Sequence, residues 1–203
     1  MKSESIPEKS NGIKILVVVG PSGVGKDTLM NKILYKYPQK FQKAVSYTSR
    51  KKRPGERNGY NYHYVTKEEF LQLIKDGKMV EYFFYSGNYY GLPKKELEEV
   101  KENKILYINI GISATEKIVD LNIPANFIAI LPPSLEALEK RLKQRGTETG
   151  KIIKERLETA KNEIKEIKES RIINYKIYND NLEQAFLDLE GKLKNLYPML
   201  VGN

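Results

Sequence analysis

The stretch "IKILVVVGPSGVGKDTLMNKILYKY", Ile13 to Tyr37, constrains the fold more than any other part of the chain. An unbroken β-branched run predicts a strand buried on both faces, as in a parallel sheet. Leu29, Ile33 and Leu34 recur at helical spacing, and Pro38 closes that helix. Between them lies a glycine turn of the form G-x-x-x-x-G-K. Gly20, Gly23 and Gly25, with Ser22 among them, free successive backbone N–H groups to point at phosphate oxygens, and the helix adds its positive end. Lys26 would reach the β- and γ-phosphates as a point charge. A plain strand–turn–helix corner has the same outline, but the lysine and the spacing of the glycines favour nucleotide phosphate.

The last position of this pattern ordinarily carries a hydroxyl that helps hold magnesium. Here it is Asp27, and Thr28 comes one residue late. A carboxylate is also a hard-oxygen ligand for that ion. The same residue could simply favour the helix N-terminus, as an acid in the first turn does.

The remaining chain alternates strand and helix patterns, which indicates an α/β fold with a parallel sheet flanked by helices. "ILYINI", "NFIAILPP" and "RIINYKIYN" read as strands. "PKKELEEVKENK", "SLEALEKRLKQRG", "TGKIIKERLETAKNEIKEIKES" and "NLEQAFLDLEGKLKNLY" read as helices, with Pro93 in the first turn of the first and Ser134 capping the second. Residues 43–48 suggest one short strand, and residues 46–92 a β-rich lobe inserted between core elements. Residues 1–12 read as a disordered tail, 13–203 as one unit, and about 134–165 as a lid.

Composition narrows the functional classes. No apolar run approaches the ~20 residues of a membrane span, and the first residues carry Glu4 and Glu8 without an apolar core, so membrane and secretory roles are not expected. The chain has no cysteine, which excludes disulfide and thiolate chemistry and fits the cytoplasm. A net charge of +9 suggests anionic partners. The basic run Lys51–Arg53 is too short to make nucleic acid the expected one. Nothing in the sequence sets the oligomeric state.

A second anion site is visible in "SYTSRKKRPGERNGYNYHY". Arg50 and Arg53 precede a Pro-Gly turn, and their guanidinium forks could converge on one phosphate monoester. Tyr62 and Tyr90 could donate hydroxyls to the same group. Glu81 stands among apolar and aromatic residues in "KMVEYFFY". If buried, it needs donors, and a guanine offers two adjacent ones; an exposed strand glutamate is the alternative.

With "GPSGVGK", "VSYTSR..R", "PGERNGYNYHYV", "EYFFYSGNYYG", "PPS", "RLKQRGTET" and the late "YND", the chain resembles guanylate kinase over residues 13 to about 197. The resemblance implies a P-loop NTPase-type sheet with an inserted GMP-binding lobe and a helical lid. It implies phosphoryl transfer from ATP to GMP, and to dGMP, with Mg2+, on small-molecule substrates. By position, Arg50, Arg53, Tyr62 and Tyr90 would hold the GMP phosphate, and Glu81 and Ser46 would read the guanine. Lys26 and the loop glycines would hold ATP phosphates, with Asn179 near the adenine. Arg141, Arg145 and Arg156 would come from the lid to screen the transferring group.

The chain departs from the family pattern in three respects. Asp27 replaces the hydroxyl. Asn109 and Gly111 in "YINIG" replace strand-end acids, so Asp27 is expected to take over the metal-holding charge. Leu92 follows Gly91 where the family commonly has a hydroxyl, and bulky Tyr47 stands beside Ser46, so guanine binding is expected to be weakened or relaxed. Two other functions remain open: a related P-loop kinase with another acceptor such as ribose 1,5-bisphosphate, and a binding module without catalysis.

Overall fold

A computed structural model describes residues 14–85, 87–144 and 149–201. Its centre is a five-stranded sheet of β1 (Ile15–Val19), β2 (Phe41–Lys43), β7 (Ile105–Asn109), β8 (Asn126–Leu131) and β9 (Tyr175–Tyr178). The order is β2-β7-β1-β8-β9, and every pair is parallel. All five residues of β1 are buried, which explains its lack of polar alternation. Leu16 and Val18 face a core closed by α1 (Lys26–Lys36), α5 (Leu135–Gln144) and α7 (Leu182–Leu196). Ile15, Val17 and Val19 face a second core with Ile118 of α4 (Thr115–Asp120) and Ile167 of α6 (Gly150–Glu169). Each fully buried aliphatic side chain contributes about 1.5–3 kcal/mol.

A second sheet has the order β4-β3-β6-β5, from β3 (Tyr47–Thr48), β4 (His63–Tyr64), β5 (Met79–Tyr85) and β6 (Asn88–Pro93). Together with α2 (Lys67–Lys75) it fits an inserted lobe. Thr66 begins α2 with a capping box: its hydroxyl accepts from the Glu69 amide while the Glu69 carboxylate accepts from the Thr66 amide. Leu92 on β6 is fully buried in the second core and so ties the lobe to the large sheet.

Two local expectations change. Residues 43–48 are not one strand. Ala44 still donates to the Tyr107 carbonyl (2.8 Å), whereas the Ser46 carbonyl already accepts from His63 (2.8 Å), so the chain changes sheets between them. Past the Pro-Gly and Asn-Gly turns the chain returns to form a parallel pair, β3 with β4. The helix expected from Pro93 shrinks to α3 (Lys95–Glu98), and Pro93 ends β6 opposite Met79. In that charged run Leu97 and Val100 are the residues that pack inward, too few to anchor three turns, and Asn103 turns the chain at φ 58° into β7.

Candidate active site

Gly20 to Gly25 connect β1 to α1 with positive φ at Gly20, Gly23 and Gly25. At two of these a side chain is excluded by contact as well. A Cβ on Gly20 would run into the Ile130 carbonyl, and one on Gly25 into the Asn179 amide. Asn179 also donates from Nδ2 to the Val24 carbonyl (2.8 Å). Arg141 completes this brace, donating to the carbonyls of Asn179 (2.6 Å) and Val24 (3.3 Å). Arg141 and Asn179 thus hold the loop from behind, and neither lines the cleft in front of it.

That cleft has a volume of about 490 Å³. Gly20, Ser22, Gly23, Gly25, Lys26, Asp27 and Thr28 form one wall, and Arg50, Arg53, Tyr62 and Tyr90 another. Lys26 Nζ folds back to the carbonyls of Gly20 and Pro21. Arg156 reaches in from α6, donates to Ser22 Oγ (2.6 Å) and lies over the Tyr85 ring. Ser46 lines a smaller pocket of about 50 Å³ that shares Asp27, Glu56, Tyr62 and Asn109 with the cleft. Arg145 lies outside the described residues.

Arg50 is preset by a residue that sequence reasoning did not single out. Glu56 accepts both arms of its guanidinium (3.0 and 2.9 Å), and also the Arg53 amide (2.8 Å) and the Tyr64 hydroxyl (2.7 Å). Burial would raise the Glu56 carboxyl, but these donors outweigh it and hold it at about 2. The same pair moves Arg50 upward against its own desolvation. The signal was present: Glu56 is an acid three residues from Arg53, across a Pro-Gly turn. Burial, then the fields of Asp27 and Tyr90, raise the Tyr62 hydroxyl, so it stays protonated and able to donate. Tyr90 packs against Tyr62 edge-on and stacks on Phe83.

Glu81 is buried, with 5% of its surface exposed. Its Oε1 accepts from the Leu92 amide (3.2 Å). Its Oε2 is buried with no hydrogen-bond partner among the described residues. Burial, opposed by the Leu92 bond, pushes its pKa up to about 7. Strand alternation puts Glu81 on the same face of β5 as Phe83 and Tyr85, which line the cleft, although Glu81 itself is not among the lining residues. Leu92, which offers no side-chain hydrogen bond, therefore contributes its backbone. The Tyr47 ring packs tilted against His63, with ring centres 4.8 Å apart.

Two acids of α6, Glu163 and Glu166, also face the cleft. Burial raises the Glu163 carboxyl while Lys26 opposes that shift. Periodicity alone could not mark them within so charged a helix. Asp27 is exposed at the start of α1, and its Oδ1 accepts from Asn109 Nδ2 (3.1 Å). Among the described residues no three His, Cys, Asp or Glu side chains converge as a metal site. A divalent cation here would draw on Asp27 and Thr28 and complete its shell from phosphate and water, as hard cations at nucleotides do.

A glycine loop at a helix N-terminus, facing arginines and tyrosines across one cleft, is the arrangement of a P-loop kinase. The guanylate kinase family model matches residues 12–196. A guanylate kinase of Schizosaccharomyces pombe is 39% identical over 93% of this chain and 95% of the relative. The Homo sapiens guanylate kinase is 36% identical over 90% of this chain and 93% of its own. The crystal structure of guanylate kinase from Anaplasma phagocytophilum superposes with a TM-score of 0.64 at 28% identity, covering 93% of this chain and 87% of that one. The chain belongs to the guanylate kinase family, and its activity is that of a nucleoside monophosphate kinase. No helix among the described residues is long and apolar enough to cross a membrane.

Proposed function

We propose that the protein transfers the γ-phosphoryl group of Mg·ATP to GMP, and to dGMP, giving ADP and GDP. The observation that carries this reading is the buried Glu81 Oε2, without a donor among the described residues, on the face of β5 that it shares with Phe83 and Tyr85 of the cleft lining. A guanine ring N–H and amino group supply two adjacent donors to a carboxylate, and adenine does not. The acceptor phosphate lies at Arg50 and Arg53, with Tyr62 and Tyr90 donating. The loop amides and Lys26 take the donor's phosphates, for which Lys26 must leave the Gly20 carbonyl. Arg156 comes from the lid side, already beside the loop at Ser22. Asp27 and Thr28 are the residues that would hold Mg2+, whose contribution is to neutralise and orient the polyphosphate. Arg141 and Arg145 are assigned to the same charge-screening set. Arg141 reaches the loop through its carbonyls and in this arrangement stiffens it. No covalent intermediate is required, because in-line positioning and charge neutralisation suffice.

The test is ADP release from Mg·ATP with GMP, dGMP, AMP, UMP, CMP and ribose 1,5-bisphosphate offered separately. Turnover with GMP and dGMP alone is expected. Turnover with ribose 1,5-bisphosphate in preference to GMP would replace this reading with another kinase. Tight GMP binding without any turnover would leave a binding module.

A further inference from the structure

Asn109 and Asp27 are 82 residues apart in the chain, yet their side chains are hydrogen-bonded. Parallel pairing of β7 with β1 sets Asn109 beside Val18, next to the turn into α1. The end of β7 thus lies under the first helical turn, where Asp27 projects. Asp27 is exposed and lines the cleft. A carboxylate at that place is repelled by a polyphosphate unless a cation lies between them. An exposed aspartate is free to swing to solvent, and here an amide fixes one of its oxygens at 3.1 Å. The bond fixes the side chain at the cleft while leaving the second carboxylate oxygen for a cation. An amide is the side chain suited to this task, since it donates to a carboxylate without adding charge. A carboxylate at position 109 would face Asp27 at the same distance and repel it.

We propose that Asn109 is a positioning residue that holds Asp27 as the protein's carboxylate ligand to the divalent cation accompanying the donor nucleotide. The metal-holding charge thus sits on the phosphate loop, and the strand end supplies its orientation. This rests on the kinase reading only in that a nucleoside polyphosphate brings the cation.

The experiment measures the gain in ADP affinity that Mn2+ confers, with no acceptor present, by calorimetry and by the electron paramagnetic resonance spectrum of bound Mn2+. The variants are Asp27→Asn, Asn109→Ala, Asn109→Asp and the swap Asp27→Asn/Asn109→Asp. Asp27→Asn is expected to lower the metal-dependent gain by about 10–100-fold, and Asn109→Ala by about 10-fold, the usual cost of losing a partner that orients a ligand. Asn109→Asp is expected to broaden or shift the Mn2+ signal. The swap, which restores one carboxylate and one amide in reversed order, is expected to recover most of the gain. Unchanged metal dependence in both Asp27→Asn and Asn109→Ala overturns the proposal. So does a swap whose loss equals the sum of its two single variants, since residues acting as a pair do not add. Thermal unfolding shows whether each variant is folded, and the swap keeps the test open if Asn109→Ala is not. Normal metal-linked ADP binding without transfer to GMP would sink the kinase reading and leave this proposal standing.

Discussion

The two phosphate sites proposed for the cleft are made of different material. The donor site is mostly backbone: loop amides, a helix end and glycines that admit no side chain, stiffened from behind by Asn179 and Arg141. The acceptor site is mostly side chain: two arginines and two tyrosines, with Arg50 held by Glu56 before any ligand arrives. A backbone site is fixed once the fold is fixed. A side-chain site must hold each rotamer separately, and charged partners inside it do that work. The donor site should therefore fail through loss of Lys26, and the acceptor site through loss of the carboxylate that presets Arg50.

Lys26→Met offers the largest effect. A fall in kcat of about 10³-fold is expected, with ADP still bound by the loop amides. Steady-state kinetics beside ADP calorimetry checks this, and a loss of ADP binding as large as the loss of kcat would break the contrast. Next is Glu56→Gln. It leaves the partly buried Arg50 with a neutral partner, so KM for GMP should rise by about 10–100-fold while KM for ATP stays near its starting value. An equal rise in both constants would mean that Glu56 supports the whole lobe and not the acceptor site.

Glu81 separates binding from stability. Glu81→Gln should raise KM for GMP by about 10-fold, the worth of a charged hydrogen bond. It should also raise stability above pH 7. The folded Glu81 has a pKa of about 7, above its ordinary value of 4.5, so the folded state holds the extra proton between them. Stability from this group is therefore complete below about 4.5 and falls as pH rises toward 7. Thermal melts of both proteins from pH 5 to pH 8 should converge at the acid end and part at the other. In the unaltered enzyme, KM for GMP should rise as pH falls below about 7, because guanine requires the ionised carboxylate. A flat KM over that interval would exclude Glu81 from the base site. The smallest effect is expected from Lys32→Ala. Its ion pair with Glu183 is far from the cleft and exposed, so stability should change by no more than about 1 kcal/mol in chemical denaturation.

What the sequence disclosed follows the same division. The strand, glycine loop and helix were legible because local rules dictate them: β-branched runs, positive φ, a lysine at fixed spacing. Arg50, Arg53, Tyr62 and Tyr90 were legible as chemistry, and all four line one cleft. Relations between distant segments were not legible. The Asn109–Asp27 bond and the brace of Arg141 on Val24 each depend on pairings that no local pattern encodes. The parallel pairing of β3 with β4 escaped because turn residues report that the chain bends and not which way the next strand runs. The helix after Pro93 was overextended because a charged run has helical propensity everywhere and too little apolar surface to hold it.

The position of β1 in the sheet has a consequence for assembly. It is the first described strand to leave the ribosome, and both its neighbours, β7 and β8, come from the second half of the chain. The Tyr197 hydroxyl then closes on the Ile15 carbonyl (2.8 Å), 182 residues downstream. At ~5–20 residues per second that contact waits roughly 10–40 s after β1 is made. The phosphate loop is thus translated early and finished late. A nascent chain carries the whole glycine-loop motif well before the sheet around it is complete.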